Sequence, residues 1–167
     1  FKKHKNLEIL IDAFIKLKNN SLYELILVGG NIDSFSNSVR SKIDKFNNIS
    51  CYASVERSEL VKYYNNSRLL VLPSLYEGFG FPPLEAISCK CPVLLSDIPP
   101  LREIYKDIAY YFNPYDVNDL SNKLKFLLDS PGCTDKLLIR STRITNKYSW
   151  INAMKKTVNL INRELSL

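Results

Sequence analysis

Two glutamates, Glu77 and Glu85, stand on either side of a segment that holds two glycines and two prolines, Gly78-Phe79-Gly80-Phe81-Pro82-Pro83. Ionised carboxylates only accept hydrogen bonds, so the pair suits ligands rich in hydroxyl donors, such as ribose and hexose. Gly78 and Gly80 allow close approach of a ligand to the backbone, and amides near a helix start can hold anionic oxygens. Pro82 and Pro83 stiffen the entry to the helix, with Pro83 expected near the first helical position. Each glutamate also has a plainer reading. Glu85, in the first helical turn, would offset the helix dipole, and Glu77 would be an ordinary exposed loop residue. Spacing alone does not choose. The run Lys2-Lys3-His4-Lys5 is likewise either a solvated basic entry to a helix or a set of cations for an anionic ligand.

Other chemistries find little support. His4 is the single histidine, so a Ser-His-Asp or Cys-His nucleophilic site would have to use it as the base. Cys51, Cys89, Cys91 and Cys133 form no C-x-x-C pair, which removes the usual zinc spacings and leaves reduced, buried thiols as the expectation. No metal and no cofactor is expected. Lys and Arg number 23 against 17 Asp and Glu, a formal charge of +6 that favours anionic partners. Apart from residues 2–5 the charges are dispersed, and no helix-turn-helix, zinc-finger or RNA-binding aromatic signature is present, so nucleic acid is not expected.

The elements that would position these residues follow from the apolar pattern. Leu7, Leu10, Ile11, Phe14 and Leu17 fall at helical spacing and predict an amphipathic first helix that fades at Asn19-Asn20. Leu25-Ile26-Leu27-Val28, Leu69-Leu70-Val71-Leu72 and Val93-Leu94-Leu95 are short continuous apolar runs closed by glycine, proline or Ser-Asp. Strands apolar on both faces belong to a parallel sheet covered by helices on each side. Helices are expected at 35–47, 56–66 and 84–90, and a strand at 108–112. Asp116 is the expected N-cap of a helix that buries Leu120, Leu124, Leu127 and Leu128 and stops at Ser130-Pro131-Gly132. From Thr134 onward two helices are expected to meet near Ser149, itself a candidate cap, with Trp150 as a packing anchor. The alternation of strand and helix predicts one α/β, Rossmann-like doubly wound domain over 1–167, with ligands outside the carboxyl ends of the strands. No apolar run approaches the ~18 residues of a membrane-spanning helix, and no basic leader with an apolar stretch behind it is present. The chain opens at Phe1 inside a basic segment and reads as a piece of a longer protein.

The stretch EGFGFPPLEAISCKCPVLLSDIPPLREIYKDIAYYFNP strongly resembles the C-terminal half of retaining GT-B glycosyltransferases, glycosyltransferase family 4 (glycosyl transferases group 1). KKHKNLEILIDAFIKL, ELILVGG and KYSW resemble the same family, in order along the chain, and the mannosyltransferase-like bacterial branch of surface polysaccharide assembly is most similar. An E-x7-E alone is a weak signal. Inside EGFG-x-P-x-LEA, followed by PV-x-x-SD, it is a specific one.

The resemblance implies roles. Glu85 corresponds to the carboxylate that binds the ribose of a sugar nucleotide, and Glu77 to the one at the donor sugar, closest to the chemistry. The loop residues Gly78, Phe79, Gly80, Phe81 and Pro82 correspond to those that hold sugar hydroxyls and diphosphate, Pro82 without an N–H. Lys5 takes the place of the lysine that neutralises the diphosphate, and Val55 lies in the segment against which the base rests. It further implies a missing first strand and a missing N-terminal acceptor domain. The donor is a nucleoside-diphosphate sugar, GDP-mannose preferred and UDP- or ADP-sugars possible. The acceptor is a glycan or lipid-linked, and the place is cytoplasmic, with peripheral contact at the inner face of the membrane as an option. A sugar-nucleotide epimerase of the same architecture and a non-catalytic nucleotide-binding module are the alternatives.

Overall fold

In the computed structural model, residues 2–130, 132, 144 and 147–165 are described. The apolar runs become strands β1 (Leu25–Val28), β3 (Leu70–Leu72) and β4 (Val93–Ser96), joined by β2 (Ile49–Tyr52) and β5 (Tyr110–Phe112). Between and after them lie α1 (Leu7–Ile15), α2 (Asn37–Asp44), α3 (Arg57–Asn66), α4 (Phe81–Ser88), α5 (Pro99–Tyr105), α6 (Val117–Asp129) and α7 (Trp150–Leu165). Every strand pair is parallel. β1 pairs with β2, Leu25 opposite Ile49. β4 lies between β3 and β5, with Val93 opposite Leu70 and Leu94 opposite Tyr110.

Burial along β4 explains the two helical layers. Val93, Leu94 and Leu95 are all fully buried, each stabilising the fold by about 1.5–3 kcal/mol. Leu94 packs with α1, α2 and α6 through Leu10, Phe14, Val39, Leu120 and Leu124. Val93 and Leu95 face the other way, onto Tyr64, Ala86, Ile87, Leu101 and Tyr105 of α3, α4 and α5. Successive side chains of a strand point to opposite faces, so a run without polar residues is what a doubly covered strand requires.

Several expectations are met in detail. The Asp116 carboxylate accepts from the Asn118 and Asp119 amides at 2.8 and 3.2 Å and caps α6, and the Ser149 hydroxyl accepts from the Asn152 amide at 3.2 Å at the start of α7. Others need correction. β2 was not expected, because its sequence ISCY is half polar and only Ile49 is buried. α5 was not expected either: it spans seven residues and opens with two prolines, a composition that reads as loop. α4 starts at Phe81 rather than at 84, with Gly80 as its N-cap, because proline at the second and third helical positions removes only amides that have no intrahelical partner. Trp150 is no packing anchor. It is 85% exposed, on a helix without a buried residue. Cys91 is buried and its thiol is pushed up to about 12 by that burial, while Cys51 and Cys89 are half-buried. Cys133 and the first of the two closing helices lie outside the described residues.

Candidate functional site

Because β3, β4 and β5 run parallel, the loops that follow them leave from one edge of their sheet. Two hydrogen bonds bring the basic segment before α1 to that edge. The Leu75 amide donates to the His4 carbonyl at 2.8 Å, and the Asn6 side-chain amide donates to the Pro114 carbonyl at 2.8 Å. Asn6 adopts the left-handed conformation, φ 53, which its short polar side chain tolerates and which turns the chain from Lys3–Lys5 into α1.

This placement sets Lys5 against Glu77. The Lys5 ammonium lies 2.7 Å from Glu77 Oε1, and the Ser74 hydroxyl donates to the same oxygen at 2.7 Å. Ser74 is fully buried, the Glu77 side chain is 11% exposed and that of Lys5 is 39% exposed. A carboxylate at that depth needs both bonds, since desolvated charge without partners is costly. Glu77 is therefore no ordinary loop residue.

Glu85 is held differently. It is the fifth residue of α4, past the first turn, so the helix-dipole reading of this residue falls away. It is exposed, and the Tyr64 hydroxyl, from α3, donates to its Oε2 at 3.1 Å. Burial, then the Glu85 charge, hold the Tyr64 phenol far above its usual range, so it stays a donor.

Between the two carboxylates the loop is shaped by its glycines and aromatics. Gly80 has φ +76, and a Cβ there would sit 2.9 Å from Leu101 Cδ2, a buried side chain. The Tyr105 hydroxyl donates to the Gly80 carbonyl, locking the turn from beneath. Phe79 stacks at 4.8 Å from Phe81 and meets Tyr148 edge-on at 5.2 Å, while Phe81 stays 56% exposed. Gly78 differs from Gly80: its φ is not left-handed, and a Cβ there would meet nothing within 4 Å. Pro82 and Pro83 carry no N–H, so of the four amides at the start of α4 that lack an intrahelical acceptor only those of Gly80 and Phe81 could meet an anion.

Of the residues singled out in the sequence, Lys5 and Glu77 are brought into contact, and Gly78 to Pro82 run from them to Glu85 on α4. Val55 is half-buried on the segment between β2 and α3, and among the described residues it shows no hydrogen bond to the Lys5–Glu77 cluster or to Glu85. Ser74 and Tyr64 were missed. A serine at a strand's carboxyl end, three residues before a glutamate, carried a faint signal for the first. Nothing local links Tyr64 to a residue 21 positions away. Across the next strand, Arg102 clamps Asp97 at 2.6 and 2.7 Å and lies over the Tyr111 ring at 3.8 Å. That hydrogen-bonded pairing pulls the Asp97 carboxyl below its usual range.

A doubly wound parallel α/β domain with a lysine, a half-buried carboxylate, a glycine loop and an open carboxylate along one strand edge has the make-up of a binding domain for anionic, hydroxyl-rich ligands. The model of the Glycosyl transferases group 1 family matches residues 1–147, and the chain belongs to that family. It is similar to the serotype-specific mannosyltransferase WbdA of Escherichia coli, 35% identical over 107 residues that cover 64% of this chain and 13% of that protein. It is also similar to the O-antigen chain mannosyltransferase RfbU of Salmonella typhimurium, 34% identical over 137 residues, 80% of this chain and 38% of the other. The Anabaena protein HepE, solved in complex with UDP and glucose, superposes with a TM-score of 0.81 at 17% identity, over all of this chain and 46% of that one, and so shares the fold. The chain thus spans less than half the length of each of these proteins. Among the described residues, no helix is long and apolar enough to cross a membrane.

Proposed function

We propose that this chain is the donor-binding half of a retaining glycosyltransferase. It would move a hexosyl unit, mannosyl by preference, from a nucleoside-diphosphate sugar to a glycan or lipid-linked acceptor in surface polysaccharide synthesis. The observation that carries the reading is the Lys5–Glu77–Ser74 cluster beside Gly78. The fold does not require glycine at 78, whereas a ligand lying against the backbone does.

In this reading the bond from the anomeric carbon to the β-phosphate oxygen breaks and its electron pair leaves with the diphosphate. The acceptor hydroxyl oxygen bonds to that carbon and gives its proton to an oxygen of the departing diphosphate. Lys5 and the loop amides stabilise the charge that grows on the β-phosphate, fixed in place before the reaction begins. Glu77 orients the transferred sugar through its hydroxyls, Glu85 takes the ribose, and the segment around Val55 receives the base. GDP-mannose is the preferred donor, supported by the two mannosyltransferase relatives.

The domain's first strand and an acceptor-binding half are inferred to belong to a longer protein. Among the described residues β1 and β3 are each hydrogen-bonded along one edge only, and apolar β3 is merely half-buried where β4, paired on both edges, is fully buried. One further parallel strand between β1 and β3 would complete a single sheet. The apolar stripe of α7, on which Trp150, Ile151, Met154 and Leu165 are exposed, would find cover in the same larger assembly. A position at the inner face of the membrane accords with the net charge of +6.

The test is a thermal-shift panel of GDP, UDP, ADP and their sugar conjugates on this chain and on the full-length protein, followed by calorimetry. A ligand at 100 times its dissociation constant stabilises the folded state by about 2.7 kcal/mol. A selective GDP response supports the mannosyl donor. Loss of response in the full-length protein as well would refute the donor-binding reading, and alteration of free sugar nucleotide without acceptor would replace transfer by epimerisation.

A further inference from the structure

Tyr64 is a core residue whose polar end reaches the surface. Its ring packs with Ala86, Ile87 and Cys91 on the α3–α4–α5 side of the sheet, and the residue is 8% exposed. Packing alone would be met by phenylalanine. The hydroxyl needs a partner once buried, and the partner found is a carboxylate oxygen of an exposed residue on the next helix, 3.1 Å away. Helical side chains lean toward their helix N-terminus, so Glu85, fifth in α4, leans back toward the Gly78–Gly80 loop.

We propose that Tyr64 is a positioning residue for ribose recognition: by holding Glu85 Oε2 from below, it fixes the carboxylate rotamer so that Oε1 faces the ribose diol. The proposal rests on the reading of Glu85 as the ribose ligand. An exposed glutamate samples many rotamers, and ordering it only when the nucleotide arrives would weaken binding. One hydrogen bond from a rigid, buried ring removes that cost in advance and leaves the other oxygen free of Tyr64. Because the phenol is held far above its usual range, it stays protonated and keeps donating throughout the pH range of any assay.

The experiment compares ribonucleoside diphosphates with their 2′-deoxy and 3′-deoxy forms, GDP and UDP as probes, on the full-length protein carrying Tyr64→Phe or Glu85→Ala. Tyr64→Phe removes one oxygen and leaves no buried charge behind, so the fold is retained. The expected result is a ribo-over-deoxy preference in the natural protein that falls about fivefold in Tyr64→Phe, with deoxy affinity nearly unchanged. In transfer assays KM for the donor rises and kcat holds, as for lost uniform binding. Equal losses for ribo and deoxy forms would show a merely structural tyrosine, and an unchanged preference would also overturn the proposal. If Glu85→Ala keeps the preference, the ribose reading itself fails. If Glu85→Ala abolishes it while Tyr64→Phe does not, only the positioning role fails.

Discussion

Glu77 and Glu85 are the same residue type on one loop-helix segment, yet the fold treats them as opposites. Glu77 is sunk to 11% exposure and shares one oxygen between a lysine from far upstream and a fully buried serine. Glu85 is open to solvent and held by one phenol from below. The first corner is an electrostatic cluster whose members depend on one another, because removing any of them leaves desolvated charge or an unpaired hydroxyl. The second is a surface acceptor with a fixed aim. Depth, more than residue identity, separates a carboxylate locked into an ion-paired cluster from one left open to solvent.

The largest effect should come from removing the deeper member of the pair. In the full-length protein Glu77→Ala is expected to lower transfer by about a hundredfold or more. Nucleoside-diphosphate affinity should stay level or tighten, because Lys5 is freed from its carboxylate. Near-normal turnover in that variant would erase the distinction between the two corners. Gly80 joins them, and Gly80→Ala combines a left-handed φ with a Cβ 2.9 Å from buried Leu101, for a loss of about 1–3 kcal/mol of folding stability in urea titration. A neutral result would mean that the turn between the carboxylates is not fixed. Lys5→Ala should weaken a nucleoside diphosphate about tenfold and the nucleoside far less, as calorimetry would report; equal losses would exclude direct phosphate contact.

The smallest effect concerns the neighbouring Asp97–Arg102 clamp. Its folded carboxyl is depressed, chiefly by the Arg102 hydrogen bond, so its contribution is present above the ordinary value of 3.8 and is lost as pH falls through the lower folded value. With side chains 45% and 51% exposed, solvent screens the pair, and about 0.2–1 kcal/mol is expected. Asp97→Asn should therefore flatten the acid limb of the stability curve only slightly. A large flattening would place Asp97 with Glu77 among the carboxylates locked by their partners.

Legibility in the sequence followed the range of the interaction involved. β1, β3 and β4 were visible as unbroken apolar runs, and α6 as a leucine stripe behind an aspartate cap, because a few neighbouring residues decide such features. The family motif pointed to Lys5, Glu77 and Glu85 together. Strand β2 and helix α5 escaped, the one half polar at only four residues, the other short and headed by prolines. The start of α4 was misjudged by a turn, which moved Glu85 out of reach of the helix dipole. Trp150 looked like an anchor because large aromatics usually find a core, but burial depends on what lies opposite, and α7 has no buried residue.

The amino-acid sequence by itself determined where the chain turns, which runs are apolar on both faces, and which residue types flank the glycine loop, since these follow from local sterics and hydropathy. Only the tertiary structure decided that Lys5 meets Glu77 across 72 residues, that Ser74 lies beneath that carboxylate, and that Tyr64 rather than solvent holds Glu85. Such contacts are set by how the helical layers pack on the sheet. No periodicity along the chain encodes which side chains that packing brings within hydrogen-bonding distance of one another.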